Sequence, residues 1–438
     1  MKSIQANRLA ADQYQDHFGD LEPPLDDRRA ALEASRCYFC FDAPCVEACP
    51  TGIDIPSFIR KIQTSNRQGS AMDILSANIF GGACARVCPT EILCEEACVR
   101  NLQEEKPVEI GLLQRYATEE SFEGPHPFTR AAPTNKTIAV VGGGPAGLTC
   151  AHGLARHGHE VTVFEAKDKL GGLNEYGIAA YKMADDFAAK EVSFVLAIGG
   201  ITVRTGMALG HDITLDDLRA QFDAVFLSVG LGDTRPLDIA ASNINNIEPA
   251  VHFIERLRQS DDLSSLPIGD RVVVIGGGNT AIDASVQSKR LGAREVTLVY
   301  RRGASSMSAT GHEQHIAQTN GVTIRHWLTP KDTTYDDKGV TGVTFEYTKQ
   351  DADGMLTGTG ETHHIDADMV LLATGQTMIP PAQIKTNKGK IVVDEGQATS
   401  LPGVWAGGDC TALGQDLTVQ AVQEGKIAAQ SIHTALSA

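Results

Sequence analysis

Apolar positions in this chain recur at two different periods, and the change of period divides it. From Asp26 to Ser35, Ile55 to Ile62 and Ala71 to Phe80 they return every three or four residues, the spacing of helices with one buried face. No strand-like alternation appears before about residue 136, so this first part is predicted to be helical. Residues 1 to about 30 are largely polar and close at Pro23-Pro24, the pattern of a poorly ordered or partner-dependent arm. Gly124-Pro125-His126-Pro127 and Ala132-Pro133-Thr134 read as a linker.

Beyond the linker, short apolar runs alternate with helical stretches. Thr137–Val141 leads into Gly142-Gly143-Gly144-Pro145-Ala146-Gly147, a helical stretch to Arg156, and the run Glu160–Phe164 closed by Glu165. The same order returns at Arg271: Val272–Ile275, then Gly276-Gly277-Gly278-Asn279-Thr280-Ala281, a helix to Leu291, and Glu295–Tyr300. Strand, glycine turn, helix and strand make one unit of a parallel sheet. Between about 321 and 370 the pattern turns to short strands with Gly and Asp turns, such as Val343–Tyr347 and Asp368–Leu372. Gly403–Asp409 reads as a further strand ending in an acid, followed by a helix from about Leu417 to His433.

The fold class is therefore α/β: a helical N-terminal domain followed by two Rossmann-like nucleotide-binding domains, the second inserted into the first. Expected boundaries are 1–130 for the helical domain, 131–245 and 374–438 for the split domain, and 246–373 for the insert.

Composition removes several classes of function. A chain of 438 residues has room for about three domains. A formal charge of −17 argues against nucleic acid or an anionic membrane as the general partner. The first thirty residues hold no apolar signal core and no run of 18 apolar residues occurs, so a soluble, cytoplasmic protein is expected.

Eight of the ten cysteines lie in one stretch, as Cys37-x2-Cys40-x4-Cys45-x3-Cys49-Pro50 and Cys84-x3-Cys88-Pro89-x4-Cys94-x3-Cys98. Two thiolate-rich runs, each with a Cys-Pro, suit a pair of iron–sulfur clusters. Structural zinc usually takes two Cys-x2-Cys knuckles, and only one such pair is present. A domain of short helices with little apolar mass would fold around its metals.

The glycine turns carry the second chemistry. Gly142 makes the tight turn, Gly144 admits a pyrophosphate, Gly147 allows close helix–strand packing, and Glu165 can accept from ribose hydroxyls. In the second copy Arg301-Arg302 replaces the acid, which favours a 2′-phosphate and hence NADPH over NADH. Two such units point to one flavin and one nicotinamide, the acid-ended first copy suiting FAD. Thr374-Gly375 follows the last strand of the insert, and Gly408-Asp409 would meet the ribityl chain. The helix N-terminus near Thr418 and Gln420 would lie by the flavin N1–C2=O. Cys150 and Cys410 are far apart and form no redox pair; packing roles are expected for both. His363-His364 reads as a surface pair, and no residue takes a catalytic role of its own.

With these residues laid out, the chain resembles the small, pyridine-nucleotide-oxidising subunits of bacterial dihydropyrimidine dehydrogenase, within a wider group that includes the small subunit of glutamate synthase. The likeness runs from about residue 30 to 435. It rests on the gap between Cys88 and Cys94 and on Ile110-Gly111-Leu112-Leu113-Gln114, where the family uses a glutamine as a cluster ligand. The resemblance implies two [4Fe–4S] clusters, FAD and NADPH or NADH. It assigns Cys37, Cys40, Cys45 and Cys98 to one cluster and Cys49, Cys88, Cys94 and Gln114 to the other, leaving Cys84 spare. A count of thiolates alone would instead include Cys84. Further matches are Gly171-Gly172-Leu173 and the loop after Tyr176, with Ala179 where relatives carry proline and Lys182 in the basic position. Of two arginines around the 2′-phosphate in NADPH-using relatives, Arg301 matches the first, and the second falls on Ser308.

The implied function is electron input. NAD(P)H would reduce FAD, and the clusters would pass electrons to an FMN- and Fe–S-containing catalytic subunit that reduces uracil and thymine to their 5,6-dihydro forms. The partners would form a hetero-oligomer, with no nucleic acid and no membrane. The alternatives are a glutamate synthase small subunit, or another NAD(P)H-oxidising Fe–S flavoprotein subunit, and a redox-sensing or structural Fe–S module.

Overall fold

Two five-stranded parallel sheets organise the computed structural model, which describes residues 4–122, 124–235, 237 and 244–437. The chain forms two compact units, one of Met1–Leu21, Tyr176–Ala184 and Asp233–Thr377, the other of Glu22–Glu175, Asp185–Gly232 and Met378–Ala438. Residues 236 and 238–243 of the expected 131–245 stretch lie outside the described residues.

The larger unit joins the cysteine-rich helices to the first glycine turn. Its helices begin where side chains cap them: Asp26 accepts from Arg29 N, Asp54 from Ser57 N and Asn66 from Gly69 N. Helix Ile55–Gln63 buries Ile55, Phe58, Ile59 and Ile62 against Ala30, Ala34, Ile74 and Leu113, and Cys37, Cys45, Cys49, Cys94 and Cys98 pack on that same core. The thiols are thus walls of the apolar core rather than surface groups.

In this unit's sheet the strand order is Val404–Ala406, Ala224–Leu227, Thr137–Val141, Glu160–Phe164, Ile201–Arg204. All four pairings are parallel. The edge strand Val404–Ala406 comes from the far end of the sequence, so the domain is split as expected of an interrupted fold. Helix Thr418–Ser437 runs past the expected end at His433, with Ala428, Ala429 and Ile432 the last residues of its buried face.

The smaller unit holds the second sheet, in the order Thr323–His326, Glu295–Tyr300, Arg271–Gly276, Met369–Ala373, Ile247–Pro249, again all parallel. The short strands expected between 321 and 370 are longer than their apolar cores: Leu328–Asp336, Gly339–Gln350 and Leu356–Asp366 form an antiparallel sheet. His363 and His364 sit on its outer strand, and His364 Nδ1 meets Thr344 Oγ1 at 3.1 Å.

One expectation fails at the N-terminus. The arm is ordered on the smaller unit: Ile4–Gln5 pairs antiparallel with Ile268–Gly269, Arg8 binds Asp270 at 2.7 Å, and Tyr14 is buried in the core with Phe253 and Tyr181. Its partners lie so far along the chain that no local period announces them.

Candidate functional site

The eight predicted metal ligands line two cavities. The first is walled by Cys37, Cys40, Cys45 and Cys98, with Tyr38, Ile59, Arg100 and Ile110 among its other residues. The second is walled by Cys49, Cys88, Cys94 and Gln114, and Cys84 joins them. Among the described residues no three His, Cys, Asp or Glu side chains are placed around a single ion. The donor sets, mostly soft thiols around a cage larger than one atom, fit iron–sulfur clusters. Burial pushes Cys45 up to about 12 and Cys94 well above the ordinary thiol value, and Cys88 is raised as well. For Cys88 the largest cause is a hydrogen bond with Cys84.

The folding of the cysteine stretch presents these donors. Pro44 opens the one-turn helix Pro44–Glu47 that carries Cys45, and Phe39 N donates to Cys37 Sγ at 3.4 Å. Helix Gly81–Val87 carries Cys84 and ends at Cys88. Its N-terminus is held by Glu191, fully buried on helix Phe187–Leu196, whose carboxylate accepts from Gly82 N at 2.9 Å and Ala83 N at 3.0 Å. Burial raises Glu191 to about 8, against the pull of those N–H groups and Arg86.

The first glycine turn has the shape of a dinucleotide cradle. Gly142 has φ +106°, and a Cβ there would lie 2.2 Å from Ser228 O. A Cβ on Gly147 would lie 2.0 Å from Gly142 O, which is why helix Pro145–Arg156, with Ala146 and Pro145 in its first turn, can pack so closely. Gly144 faces open space apart from Gly172, whose own Cβ would strike Gly144 Cα at 2.8 Å, and Gly171 N donates to Gly143 O at 2.7 Å. The Gly171-Gly172-Leu173 loop therefore closes over the turn. Glu165 accepts from Gly143 N at 2.7 Å and Lys167 N at 2.9 Å, placing its carboxylate beside the turn as the family pattern requires.

Across the same unit, Asp409 follows the edge strand, and burial with the nearby Asp416 charge raises it to about 6. Helix Thr418–Ser437 starts beside it, and Thr418 Oγ1 donates to Asn174 Oδ1 at 3.0 Å. Glu424, which sequence reading passed over, ties this end together: it accepts from Gly408 N at 2.7 Å, Thr411 Oγ1 at 3.0 Å and Gln420 Nε2 at 3.0 Å. The same helix reaches the cysteine domain. Val419 lines the second cavity, and Lys426 Nζ donates to Thr51 O at 2.9 Å and Ala77 O at 3.0 Å. Neither residue carries a sequence signal beyond its place on an apolar helix.

The second turn stands in the smaller unit. A Cβ on Gly276 would lie 2.2 Å from Ala373 O, and one on Gly278 3.1 Å from Ser308 Oγ, so Ser308 borders the turn. Asn279, Thr280 and Ala281 open helix Asn279–Arg290, with Gly277 O accepting from Ala309 N at 3.0 Å. Thr348 Oγ1 donates to Arg301 O and Trp327 N to Arg302 O, fixing the backbone after strand Glu295–Tyr300. Among the described residues neither guanidinium has a carboxylate partner. Thr374 Oγ1 donates to Arg235 O, and Arg235 N to Gly375 O, in the chain that leaves this unit.

Lys182 belongs to the smaller unit, bound to Asp283 at 2.8 Å and Glu313 at 2.6 Å. Burial works against its charge, but the two carboxylates outweigh it and raise its pKa. Cys150 and Cys410 are fully buried, as packing residues are.

Residues 136–425 match the family described as pyridine nucleotide-disulphide oxidoreductase, and residues 14–125 match dihydropyrimidine dehydrogenase domain II, 4Fe-4S cluster. The chain is 34% identical over 426 residues to the Salmonella typhimurium NAD-dependent dihydropyrimidine dehydrogenase subunit PreT, covering 96% of this chain and 97% of that one. This chain belongs to the iron–sulfur, PreT-type branch of the pyridine nucleotide-disulphide oxidoreductases. The Escherichia coli glutamate synthase [NADPH] small chain is 32% identical over 443 residues, covering 95% of this chain and 93% of that one. Two solved structures share the fold at low identity. Mycobacterium tuberculosis FprA in complex with NADPH has a TM-score of 0.58 at 18% identity, covering 69% of this chain and 85% of that one. T. acidophilum thioredoxin reductase has a TM-score of 0.54 at 20% identity, covering 69% of this chain and 100% of that one. Members of this branch are NAD(P)H-dependent oxidoreductases with FAD and 4Fe-4S centres, and the cages and turns above fit those groups. No helix among the described residues is long and apolar enough to cross a membrane.

Proposed function

We propose that this chain is the electron-input subunit of a dihydropyrimidine dehydrogenase. One observation carries the reading: helix Thr418–Ser437 touches both the flavin cradle, through Gln420 and Glu424, and the second cysteine cage, through Val419, while Lys426 ties it to the cysteine domain at Thr51 and Ala77. When bound, the flavin exchanges a hydride with the nicotinamide and the clusters carry single electrons.

The chain's own residues bind and orient. Gly142–Gly147 with Gly172 and Leu173 would hold the flavin pyrophosphate, Glu165 the ribose, Asp409 the ribityl chain, and Thr418 with Gln420 the ring edge. Gly276–Ala281 would hold the nicotinamide dinucleotide, with Arg301 and Arg302 at its 2′ position. Thr374 and Gly375 would border the nucleotide at the end of strand Met369–Ala373. Cys37, Cys40, Cys45 and Cys98 would hold one [4Fe–4S] cluster, and Cys49, Cys88, Cys94 and Gln114 the other. Expected domain limits are 1–130, 131–245 with 374–438, and 246–373. The partner is an FMN- and Fe–S-containing subunit that carries the pyrimidine site.

Purified holo-chain should oxidise NAD(P)H with ferricyanide and leave uracil untouched. With the FMN subunit added, NAD(P)H oxidation should become uracil-dependent. Uracil reduction by the chain alone would overturn the reading. So would glutamine- and 2-oxoglutarate-dependent turnover with a glutaminase subunit, the outcome that its 32% identity to a glutamate synthase small chain would favour.

A further inference from the structure

We propose that the surface around the first cage is where electrons leave, onto a protein acceptor that presents a basic rim around an apolar centre. The proposal rests on the electron-input reading and adds the site of exit. The two cages differ in their walls. The second includes Val419 of the flavin helix, whereas the first is lined only by residues between Cys37 and Ile110. The first is therefore the cage farther from the flavin segments.

The outer side of that cage is apolar and exposed. Phe41 is fully exposed although it lies between Cys40 and Cys45, and Leu102 is 90% exposed. Tyr38, in the cage wall, is half-exposed and held in place: its hydroxyl donates to Gln103 Oε1 at 2.6 Å, and the Arg100 guanidinium lies 3.9 Å over its ring. These contacts fasten the ligand loop to the short helix Asn101–Glu104, which carries Leu102. A single exposed apolar side chain is ordinary, but three gathered at the rim of a redox cage form a contact surface.

The charges around it are mixed but mainly acidic: the Arg60 guanidinium lies 4.6 Å over the Phe39 ring, and Lys106 pairs with Glu109 at 3.1 Å. Arg100 and Arg36 are both engaged by Glu104, and Arg36 also by Glu33 at 2.5 Å. Asp42, Glu47 and Glu105 are exposed and have no cationic partner among the described residues. An apolar centre with an acidic rim calls for lysine or arginine opposite, and the chain's net charge of −17 acts in the same direction. Electron-transfer contacts are small and transient, steered by such rims. The balance is simple: each NAD(P)H yields NAD(P)+, one proton to solvent and two electrons, and two docking events each reduce one acceptor centre.

Ferricytochrome c, a one-electron acceptor with a lysine rim, is the probe. With full-length holo-protein, carbodiimide cross-linking followed by mass mapping should join cytochrome lysines to Asp42, Glu47 or Glu105. Binding measured by calorimetry should weaken steeply between about 10 mM and about 200 mM salt. The D42K/E47K/E105K variant should raise Kd about tenfold at low salt, with iron, flavin and ferricyanide turnover unchanged. Because two of those positions lie in the ligand loop, L102S/E105K on the neighbouring helix gives a second reading, expected at about threefold. Cross-links that map only elsewhere, salt-independent binding, or an unchanged Kd in L102S/E105K would each overturn the proposal. If cross-links map to this surface but the FMN subunit gives no uracil-dependent oxidation, the surface stands and the dihydropyrimidine reading falls.

Discussion

The amide nitrogen of Gln114 donates to the carbonyl oxygen of Gly81 at 2.7 Å, which leaves the amide oxygen as the group that can face iron in the second cage. Gly81 starts the helix that presents Cys84 and Cys88, so one bond sets the glutamine relative to the thiols. Gln114→Leu should lose cluster iron, whereas Cys84→Ala should keep its full iron and sulfide content. Iron analysis and EPR of the reduced proteins decide between them; the opposite result would make Cys84 the ligand.

Glu191 satisfies two backbone N–H groups at the start of that same helix from a fully buried position. Glu191→Ala leaves both unpaired and should destabilise the larger unit by about 2–4 kcal/mol. Denaturant unfolding followed together with iron release should show both midpoints moving down by the same amount.

Lys182 neutralises two buried acids in the smaller unit, Asp283 and Glu313. Lys182→Met should cost about 3–5 kcal/mol, since two carboxylates then share a dry site. The triple change Lys182→Met/Asp283→Asn/Glu313→Gln should recover most of that, as thermal unfolding would show.

Acid should weaken the larger unit through His152. Burial first, then the neighbouring His126 and Arg156, lowers its pKa to about 3, and its buried Nε2 has no hydrogen-bond partner among the described residues. The native state keeps this ring neutral while the unfolded chain protonates near 6.5. Its contribution is therefore complete above about pH 6.5 and declines as pH falls toward 3, by at most about 1.4 kcal/mol per pH unit. Urea midpoints measured between those pH values should fall less steeply in His152→Leu.

The proposed seat of Arg301 and Arg302 at the nucleotide 2′ position can be tested through cofactor choice. Arg301→Ala/Arg302→Ala should raise KM for NADPH about tenfold and leave NADH within about twofold. Ser308→Arg, placed beside Gly278, should lower KM for NADPH. Ferricyanide turnover with each nucleotide measures both.

The glycine turns and cysteine runs were legible because their chemistry is local. Gly142 and Gly147 must be glycine where a Cβ would strike backbone oxygen, and that need appears within one short motif. What escaped is held by partners distant in sequence. Arg8 finds Asp270 across 262 positions, and the Ile4–Gln5 pairing is too short to show a period. Lys182 was legible only as the basic residue of its loop; its acids come from two helices more than a hundred residues on. Lys426 and Glu424 look like ordinary polar positions on an amphipathic helix until their contacts are seen.

The smaller unit draws on three separate parts of the chain: Met1–Leu21, Tyr176–Ala184 and Asp233–Thr377. A gene segment encoding only the last would arrive without Tyr14 and Tyr181, both core residues, and without the arm strand that pairs with Ile268–Gly269. A single exchange that moved only this last segment would therefore leave part of the unit's own core behind.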